Sequence, residues 1–263
     1  MKAKIGAGEI GYDDAGAGAC VVLLHGHPLN RSMWNAQVEA LQANYRVVCP
    51  DLRGYGETAA VSDVSTMREM AQDVAALLDY LKLETIILGG LSMGGYAALE
   101  FYNLFPTRVS ALVLADTKAA SDTEEARQKR FETAGKIEKE GIEPLAEEML
   151  PKMLAPATRS TKPETVESVR QMMLAAKPSG AAAALRGMAE RNDHTKLLAK
   201  ISVPTLVIVG ETDELTPPAE AEKMNRAIKD SRLVKISNAG HLSPLENPAE
   251  FNPALLNFLS EIR

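Results

Sequence analysis

The sequence predicts an α/β fold with a parallel β-sheet at its centre, and three observations support this. Short apolar runs typical of buried strands alternate along the chain with segments of helical periodicity, the rhythm of βαβ units. One strand turns into a helix within a few residues, at a glycine-rich segment around Ser92. Polar residues follow several strands, at the edge where parallel sheets gather their ligands.

The first strands and helices are predicted in the first third of the chain. Weak, glycine-interrupted strand signals in residues 1–19 predict an edge hairpin. The apolar run at 21–24 predicts a strand buried on both faces, and 46–49 predicts the next strand. A helix is predicted over 34–43, and a second over 66–81, where apolar residues recur at helical spacing.

A loop at 50–58 separates this second strand from the second helix. It contains two glycines, together with Asp51 and Arg53, whose opposite charges we expect to form a buried pair.

The segment around Ser92 has the pattern of a nucleophile elbow. A β-branched apolar run from 85 predicts a strand, and residues 96–105 are mostly good helix formers. Gly90 and Gly94 flank Ser92 and allow the sharp backbone turn between them, which leaves the hydroxyl exposed at its tip. The alternative is a glycine-rich turn that merely contains a serine, but the strand, turn and helix context favours the elbow.

A different pattern follows the predicted strand at 109–115, which ends at Asp116. Residues 117–197 show no strand signal, and glycine and proline breaks predict three to four helices that form a cap. Alternating charges predict solvated helix faces, and five methionines are expected to fill the core rather than touch substrate: Met149, Met153, Met172, Met173 and Met188. The predicted organisation is a core of residues 1–117 and 198–263 with a cap over 118–197.

The α/β rhythm returns in the last quarter. Strands are predicted at 204–210 and 233–236, and helices at 218–228 and 248–262. Asp213 follows the first of these strands, and the loop with His241 follows the second.

A serine nucleophile needs a base to take its proton and an acid to orient that base. His241 is the predicted base because it follows the final strand at the same edge of the sheet as Ser92. Of the other histidines, His194 is expected at the surface, and His25 is expected to have a structural role.

Two aspartates are candidates for the orienting acid. Asp213 gives the order serine, acid, histidine along the chain and is favoured, while Asp116 is the alternative after the preceding strand. Glu211 and Glu214 lie nearby and are expected to be solvated.

Attack on an ester carbonyl creates an oxyanion, which two backbone N–H groups can stabilise. The residue after the nucleophile, Met93, is predicted to supply one of them. The loop after the first buried strand is predicted to supply the other, from His27.

Taken together, these motifs resemble the α/β-hydrolase superfamily. They comprise His25-Gly26-His27-Pro28, Asp51-x-Arg53-Gly54-x-Gly56, Gly90-x-Ser92-x-Gly94-Gly95, Asp213 and Gly240-His241. The resemblance implies an eight-stranded, mostly parallel sheet and a covalent acyl-enzyme formed without a cofactor. The serine at 92 argues against the dehalogenase and epoxide-hydrolase branches, which are similar but use aspartate there.

Within the superfamily, two features are similar to small bacterial carboxylesterases and to 3-oxoadipate enol-lactonases. They are the His25-Gly26-x-Pro28 loop followed by Trp34, and Asp116-Thr117-Lys118-Ala119 leading into the cap. The first hypothesis is a serine carboxylesterase for small acyl esters, and the second is a lactone hydrolase. The lactonase would have to hold an anion, for which six cap arginines are available: Arg127, Arg130, Arg159, Arg170, Arg186 and Arg191. The only tryptophan is Trp34, outside the cap, which weakens the lactonase hypothesis. A perhydrolase or haloperoxidase side activity, or a ligand receptor that kept the fold, are further alternatives.

Composition restricts the partners. The net charge of −6 argues against nucleic acid, and we expect a small ester or lactone instead. No signal peptide or membrane span is recognised, so the predicted location is cytoplasmic. Cys20 and Cys49 are expected to be buried thiols, no metal site is predicted, and a homo-oligomer is compatible with the sequence.

Overall fold

A computed structural model describes residues 1–5, 8–59 and 62–262. It contains an eight-stranded sheet, in agreement with the predicted architecture. The strands are β1 (Lys2–Ile5), β2 (Gly8–Ala15), β3 (Cys20–Leu24), β4 (Arg46–Pro50), β5 (Ile86–Leu91), β6 (Val109–Ala115), β7 (Thr205–Gly210) and β8 (Ser231–Ile236).

The sheet is mostly parallel, with strand order β1-β2-β4-β3-β5-β6-β7-β8. Strand β2 runs antiparallel to both β1 and β4, and the remaining neighbours are parallel. The first two strands pair as the predicted edge hairpin, and residues 6–7 between them lie outside the described residues. Strands β3 and β5 are buried along their whole length, because apolar side chains and helices cover both faces of the sheet.

Twelve α-helices accompany the strands in the described part of the chain. They are α1 (Asn35–Leu41), α2 (Met67–Tyr80), α3 (Met93–Leu104), α4 (Glu124–Glu140), α5 (Glu143–Met153), α6 (Pro156–Thr161), α7 (Pro163–Leu174), α8 (Pro178–Ala189), α9 (Thr195–Leu198), α10 (Pro218–Ala227), α11 (Ser243–Glu246) and α12 (Pro248–Ser260). Helix α2 begins at a capping box, in which Thr66 and Glu69 satisfy each other's backbone N–H groups.

Helices α4 to α9, between β6 and β7, are called the inserted helices below. The prediction of three to four helices is wrong in number. The prolines expected to interrupt helices instead lie at the beginnings of additional helices. Four prolines lie in the first turn of a helix, where a missing backbone N–H costs no hydrogen bond: Pro144, Pro156, Pro163 and Pro178. Each of these prolines therefore opens a short helix, and only Pro151 lies further inside one.

Helix α8 packs closely against the segment that precedes α2. The N–H of Ser65 donates to the carbonyl of Ala183 at 3.0 Å. A Cβ atom on Gly187 would lie only 1.8 Å from the carbonyl oxygen of Ser65. The approach between the two backbones therefore requires glycine at 187.

Two expectations about side chains are wrong. Asp51 does not pair with Arg53, because Arg31 from the neighbouring 3-10 helix reaches Asp51 instead. Arg53 pairs with Asp73 at 2.7 Å, on helix α2. His194 is buried rather than exposed, and its Nε2 lies 2.8 Å from the carboxylate of Glu100.

Cys20 and Cys49 are free and buried, as expected. Burial raises the pKa of the Cys20 thiol to about 12. Among the described residues, no helix has the length and apolar character needed to cross a membrane.

Candidate active site

Ser92 lies at the sharp turn between β5 and α3. Its φ of 54° and ψ of −112° place it in a strained backbone conformation that L-residues rarely adopt. The turn is held by two hydrogen bonds: Ser92 N–H donates to the carbonyl of Ala115 at 3.0 Å, and Thr117 Oγ1 donates to the carbonyl of Ser92 at 2.8 Å. A Cβ on Gly94 would approach the carbonyl oxygen of Leu24 to 2.2 Å, so only glycine fits between the elbow and β3.

His241 lies on the loop after β8 and reaches the serine. Its Nε2 is 2.8 Å from Oγ of Ser92, although the two residues are 149 positions apart in sequence. The loop is anchored by the backbone of His241, whose N–H donates to the carbonyl of Met153 at 2.9 Å. The carboxylate of Glu246 accepts from the N–H of Gly240 at 2.8 Å and from the N–H of Ala155 at 2.7 Å. The histidine loop is thus tied to the end of α5.

Asp213 lies on the loop after β7, on the far side of the imidazole. Its Oδ2 is 2.8 Å from Nδ1 of His241. The other carboxylate oxygen accepts the backbone N–H groups of Leu215 and Thr216 at 2.8 and 2.9 Å, and Thr216 Oγ1 donates to Oδ2 at 2.6 Å. The sequence-predicted residues 92, 213 and 241 therefore meet in one hydrogen-bonded chain.

The charges of Asp213 and His241 stabilise each other. Burial acts to raise the pKa of Asp213, but the charge and hydrogen bond of His241 outweigh it, so the pKa lies below its ordinary value. Burial acts to lower the pKa of His241, but the Asp213 carboxylate outweighs it and raises that pKa above 6.5. The pair therefore favours an ionised aspartate that stabilises a protonated imidazole.

Asp116, the alternative acid, makes other contacts. It accepts hydrogen bonds from the N–H of Gly210 at 2.8 Å and from Oγ of Ser243 at 2.5 Å. No hydrogen bond joins it to His241. Burial and the nearby Asp213 charge raise its pKa well above the ordinary value, which favours the neutral acid. Glu211 and Glu214 are exposed, as expected.

The two predicted backbone donors belong to residues near the serine: Met93 follows it in the sequence, and His27 lines the same cavity as Ser92. Met93 is the first residue of α3, so its N–H has no acceptor within the helix and lies at the positive end of the helix dipole. Within the described part of the chain, neither this N–H nor that of His27 donates to a protein acceptor.

The side chains of His25 and His27 both form hydrogen bonds within the protein. Nε2 of His25 accepts the N–H of Leu52 at 2.9 Å, which agrees with its expected structural role. Nδ1 of His27 is 2.5 Å from the Tyr55 hydroxyl. Burial, with smaller effects of Arg130 and His25, lowers the pKa of His27 to about 3, so its ring is neutral.

A cavity of about 160 Å³ opens onto Ser92 and His241. A cavity of this volume fits a small substrate. Further lining residues include Tyr96, Lys118, Arg130, Met149 and Met188. Two methionines expected only as core filler thus contact the cavity. Lys118 is not among the predicted site residues, although its place two residues after Asp116, at the carboxyl edge of the sheet, is a usable signal.

No cluster of potential metal ligands occurs in the described ranges. The hydrogen-bonded arrangement of Ser92, His241 and Asp213 matches the groups that acyl transfer requires.

Comparison with known proteins decides the family. The family described as "alpha/beta hydrolase fold" matches residues 20–248. The chain belongs to this family. Among relatives of this hydrolase, 3-oxoadipate enol-lactonase 2 of Acinetobacter baylyi is 31% identical over 226 residues, 86% of this chain and 83% of the relative.

Two solved structures are similar over nearly the whole hydrolase. A thermophilic esterase from Thermogutta terrifontis, in a malate-bound form, has 44% identity and a TM-score of 0.98, covering 100% of this chain and 99% of its own. The enol-lactonase from Burkholderia xenovorans has 28% identity and a TM-score of 0.93, covering 99% and 100%. The superfamily predicted from the sequence motifs is confirmed.

Proposed function

We propose that this protein is a serine carboxylesterase for small acyl esters, with Ser92 as nucleophile, His241 as base and Asp213 as orienting acid. The observation that carries the proposal is the hydrogen-bonded chain from Ser92 Oγ through both ring nitrogens of His241 to Asp213, each contact being 2.8 Å. The 44% identical esterase relative supports the ester as the substrate class.

In this mechanism, Ser92 Oγ attacks the ester carbonyl carbon while Nε2 of His241 takes its proton. The carbonyl oxygen becomes an oxyanion, which accepts hydrogen bonds from the backbone N–H groups of His27 and Met93. Collapse of this intermediate breaks the bond to the alkoxy group, which leaves with the proton from His241. Water then attacks the acyl-enzyme by the same steps and releases the carboxylic acid and free Ser92.

We infer that the inserted helices form a cap over this site, with the core at 1–117 and 198–263 and the cap at 118–197. The cavity supports this division, because Ser92 and His241 from the sheet edge line it together with Arg130, Met149 and Met188 from the inserted helices. In this arrangement the insertion determines which acyl groups fit.

The experiment is hydrolysis of p-nitrophenyl acetate and butyrate by the wild type and by Ser92→Ala. We expect the variant to lose activity by a factor on the order of 10⁴–10⁶, because the nucleophile is removed. Ser160→Ala, at an exposed serine on α6, is the matched control and should retain full activity. Phenylmethylsulfonyl fluoride should label Ser92, which mass spectrometry of the peptides detects. Equal turnover by wild type and Ser92→Ala would overturn the proposal.

A second candidate function is hydrolysis of a lactone by the same residues. It is favoured by the two relatives named as enol-lactonases, which are 31% and 28% identical. Turnover of 3-oxoadipate enol-lactone with kcat/KM far above that of simple esters would make the lactone the preferred substrate.

A further inference from the structure

Three cationic side chains surround one buried carboxylate beside the cavity. Asp122, whose side chain is 2% exposed, contacts Arg130 Nε at 2.5 Å and Arg191 Nη1 at 2.7 Å. The ammonium nitrogen of Lys118 lies 3.7 Å from the same carboxylate. One negative charge therefore faces three positive charges, which leaves an excess of two.

Arg191 is held by contacts within the fold. Besides Asp122, its guanidinium donates to the carbonyls of Met188 and Ala120, at 2.9 and 3.0 Å. It also stacks over the ring of Tyr96, 4.3 Å from the centroid, and its side chain is 3% exposed. This arginine joins α8 to the segment after β6 and to α3, and it does not line the cavity that contains Ser92.

Lys118 and Arg130 are different, since both line the cavity that contains Ser92 and His241. At 3.7 Å from Asp122, the Lys118 ammonium is beyond hydrogen-bond distance, and it donates no hydrogen bond within the described residues. Arg130 uses Nε for Asp122 and places Nη1 3.4 Å from the sulfur of Met188, a weak acceptor. Both side chains therefore retain N–H donors for a ligand.

The cavity itself supplies no compensating charge. No aspartate or glutamate lines it among the described residues, and Asp213 is buried behind the imidazole. The positive charges also act on each other: burial and the charges of Arg191 and Arg130 lower the pKa of Lys118 despite the opposing effects of Asp122 and Glu220. A concave site with excess positive charge concentrates anions.

We propose that Lys118 and Arg130 form a subsite for a carboxylate that the substrate carries at the end remote from the scissile bond. The substrate class is then a half-ester, or an equivalent lactone, of a short dicarboxylic acid. The cavity of about 160 Å³ limits the length of chain that joins the two ends. This inference rests on the proposed function, because it assumes that the reacting carbonyl binds at Ser92.

The test compares a neutral with an anionic ester of matched size, p-nitrophenyl butyrate and mono-p-nitrophenyl succinate. We expect the wild type to prefer the anionic ester, and the preference to weaken with added salt. In Arg130→Gln and Lys118→Met, the ratio of kcat/KM values, anionic over neutral, should fall about ten- to a hundredfold, since a charged hydrogen bond is lost. Arg127→Gln, an exposed arginine one turn earlier on α4, is the control and should keep the wild-type ratio.

A binding measurement separates this inference from the proposed function. Titration calorimetry of succinate and glutarate into the Ser92→Ala protein should show binding that weakens about tenfold or more when Arg130→Gln is added. If neither ester is hydrolysed in a Ser92-dependent manner, the proposed function fails, and the calorimetry still decides the subsite. Ser92-dependent hydrolysis with an unchanged ratio in both variants, or dicarboxylate binding insensitive to Arg130→Gln, would overturn the subsite alone.

Discussion

Asp213 and Asp116 follow the adjacent parallel strands β7 and β6, yet only Asp213 hydrogen-bonds to His241, at 2.8 Å from Nδ1. Asp116 instead joins the end of β7, through Gly210, to the start of α11, through Ser243. Two buried carboxylates at the same edge of the sheet thus have different roles, which their chemistry alone does not reveal.

This difference predicts unequal effects of two isosteric substitutions. Asp213→Asn should lower kcat by about 10³–10⁴, because the imidazole loses its orienting charge. Asp116→Asn should have a much smaller effect on kcat, since a raised pKa already favours the neutral acid. Steady-state kinetics with p-nitrophenyl acetate measures both. If Asp116→Asn alone inactivated the enzyme, the assignment of Asp213 would be wrong.

The pH dependence of activity follows from the raised pKa of His241. The imidazole must be neutral to take the proton of Ser92, so activity is lost as the pH falls through this pKa. The acid limb of kcat/KM should therefore have its midpoint above 6.5, the ordinary value. In Asp213→Asn, burial remains while the carboxylate charge is gone, so the residual activity should show an acid limb at lower pH. An identical limb in both proteins would contradict this account.

Close packing between Gly187 and Ser65 predicts a sharp effect of one methyl group. Gly187→Ala should reduce the free energy of unfolding by about 1–3 kcal/mol, because its Cβ would collide with a backbone oxygen. The matched control is Gly135→Ala on α4, where an added Cβ meets nothing within 4 Å. That variant should be more stable by about 0.5–1 kcal/mol, from reduced chain entropy. Urea unfolding measures both, and equal effects would refute the steric explanation.

Glu246 should contribute to both stability and activity. Its carboxylate accepts three backbone N–H groups, from Ala155, Gly240 and Leu242. In Glu246→Gln, the side-chain NH₂ would face a donor, so we expect a loss of about 1.5–3 kcal/mol in the free energy of unfolding and a lower kcat. Glu261→Gln, at an exposed surface pair with Arg232, should leave both quantities unchanged. A normal kcat in Glu246→Gln would show that this anchor does not position His241.

The sequence was most informative where function depends on short patterns. The strand, turn and helix around Ser92 follow from local glycine and apolar spacing, and the chain order then singled out Asp213 and His241. The choice of Arg130 among six arginines depends on how α4 packs against α8, which is a tertiary contact without a local pattern. The position of His194 beside Asp193, near the end of the predicted cap, predicts a surface residue, whereas its actual partner, Glu100, lies 94 residues away on α3.

The backbone bond between His241 and Met153 has a consequence for engineering this enzyme. Because the end of α5 anchors the loop that carries the imidazole, exchanging the insertion for that of another enzyme would also disturb His241, the proposed base. A chimera intended to admit bulkier acyl groups should therefore retain residues 153–155 and vary the helices that carry Arg130 and Met188, which line the cavity.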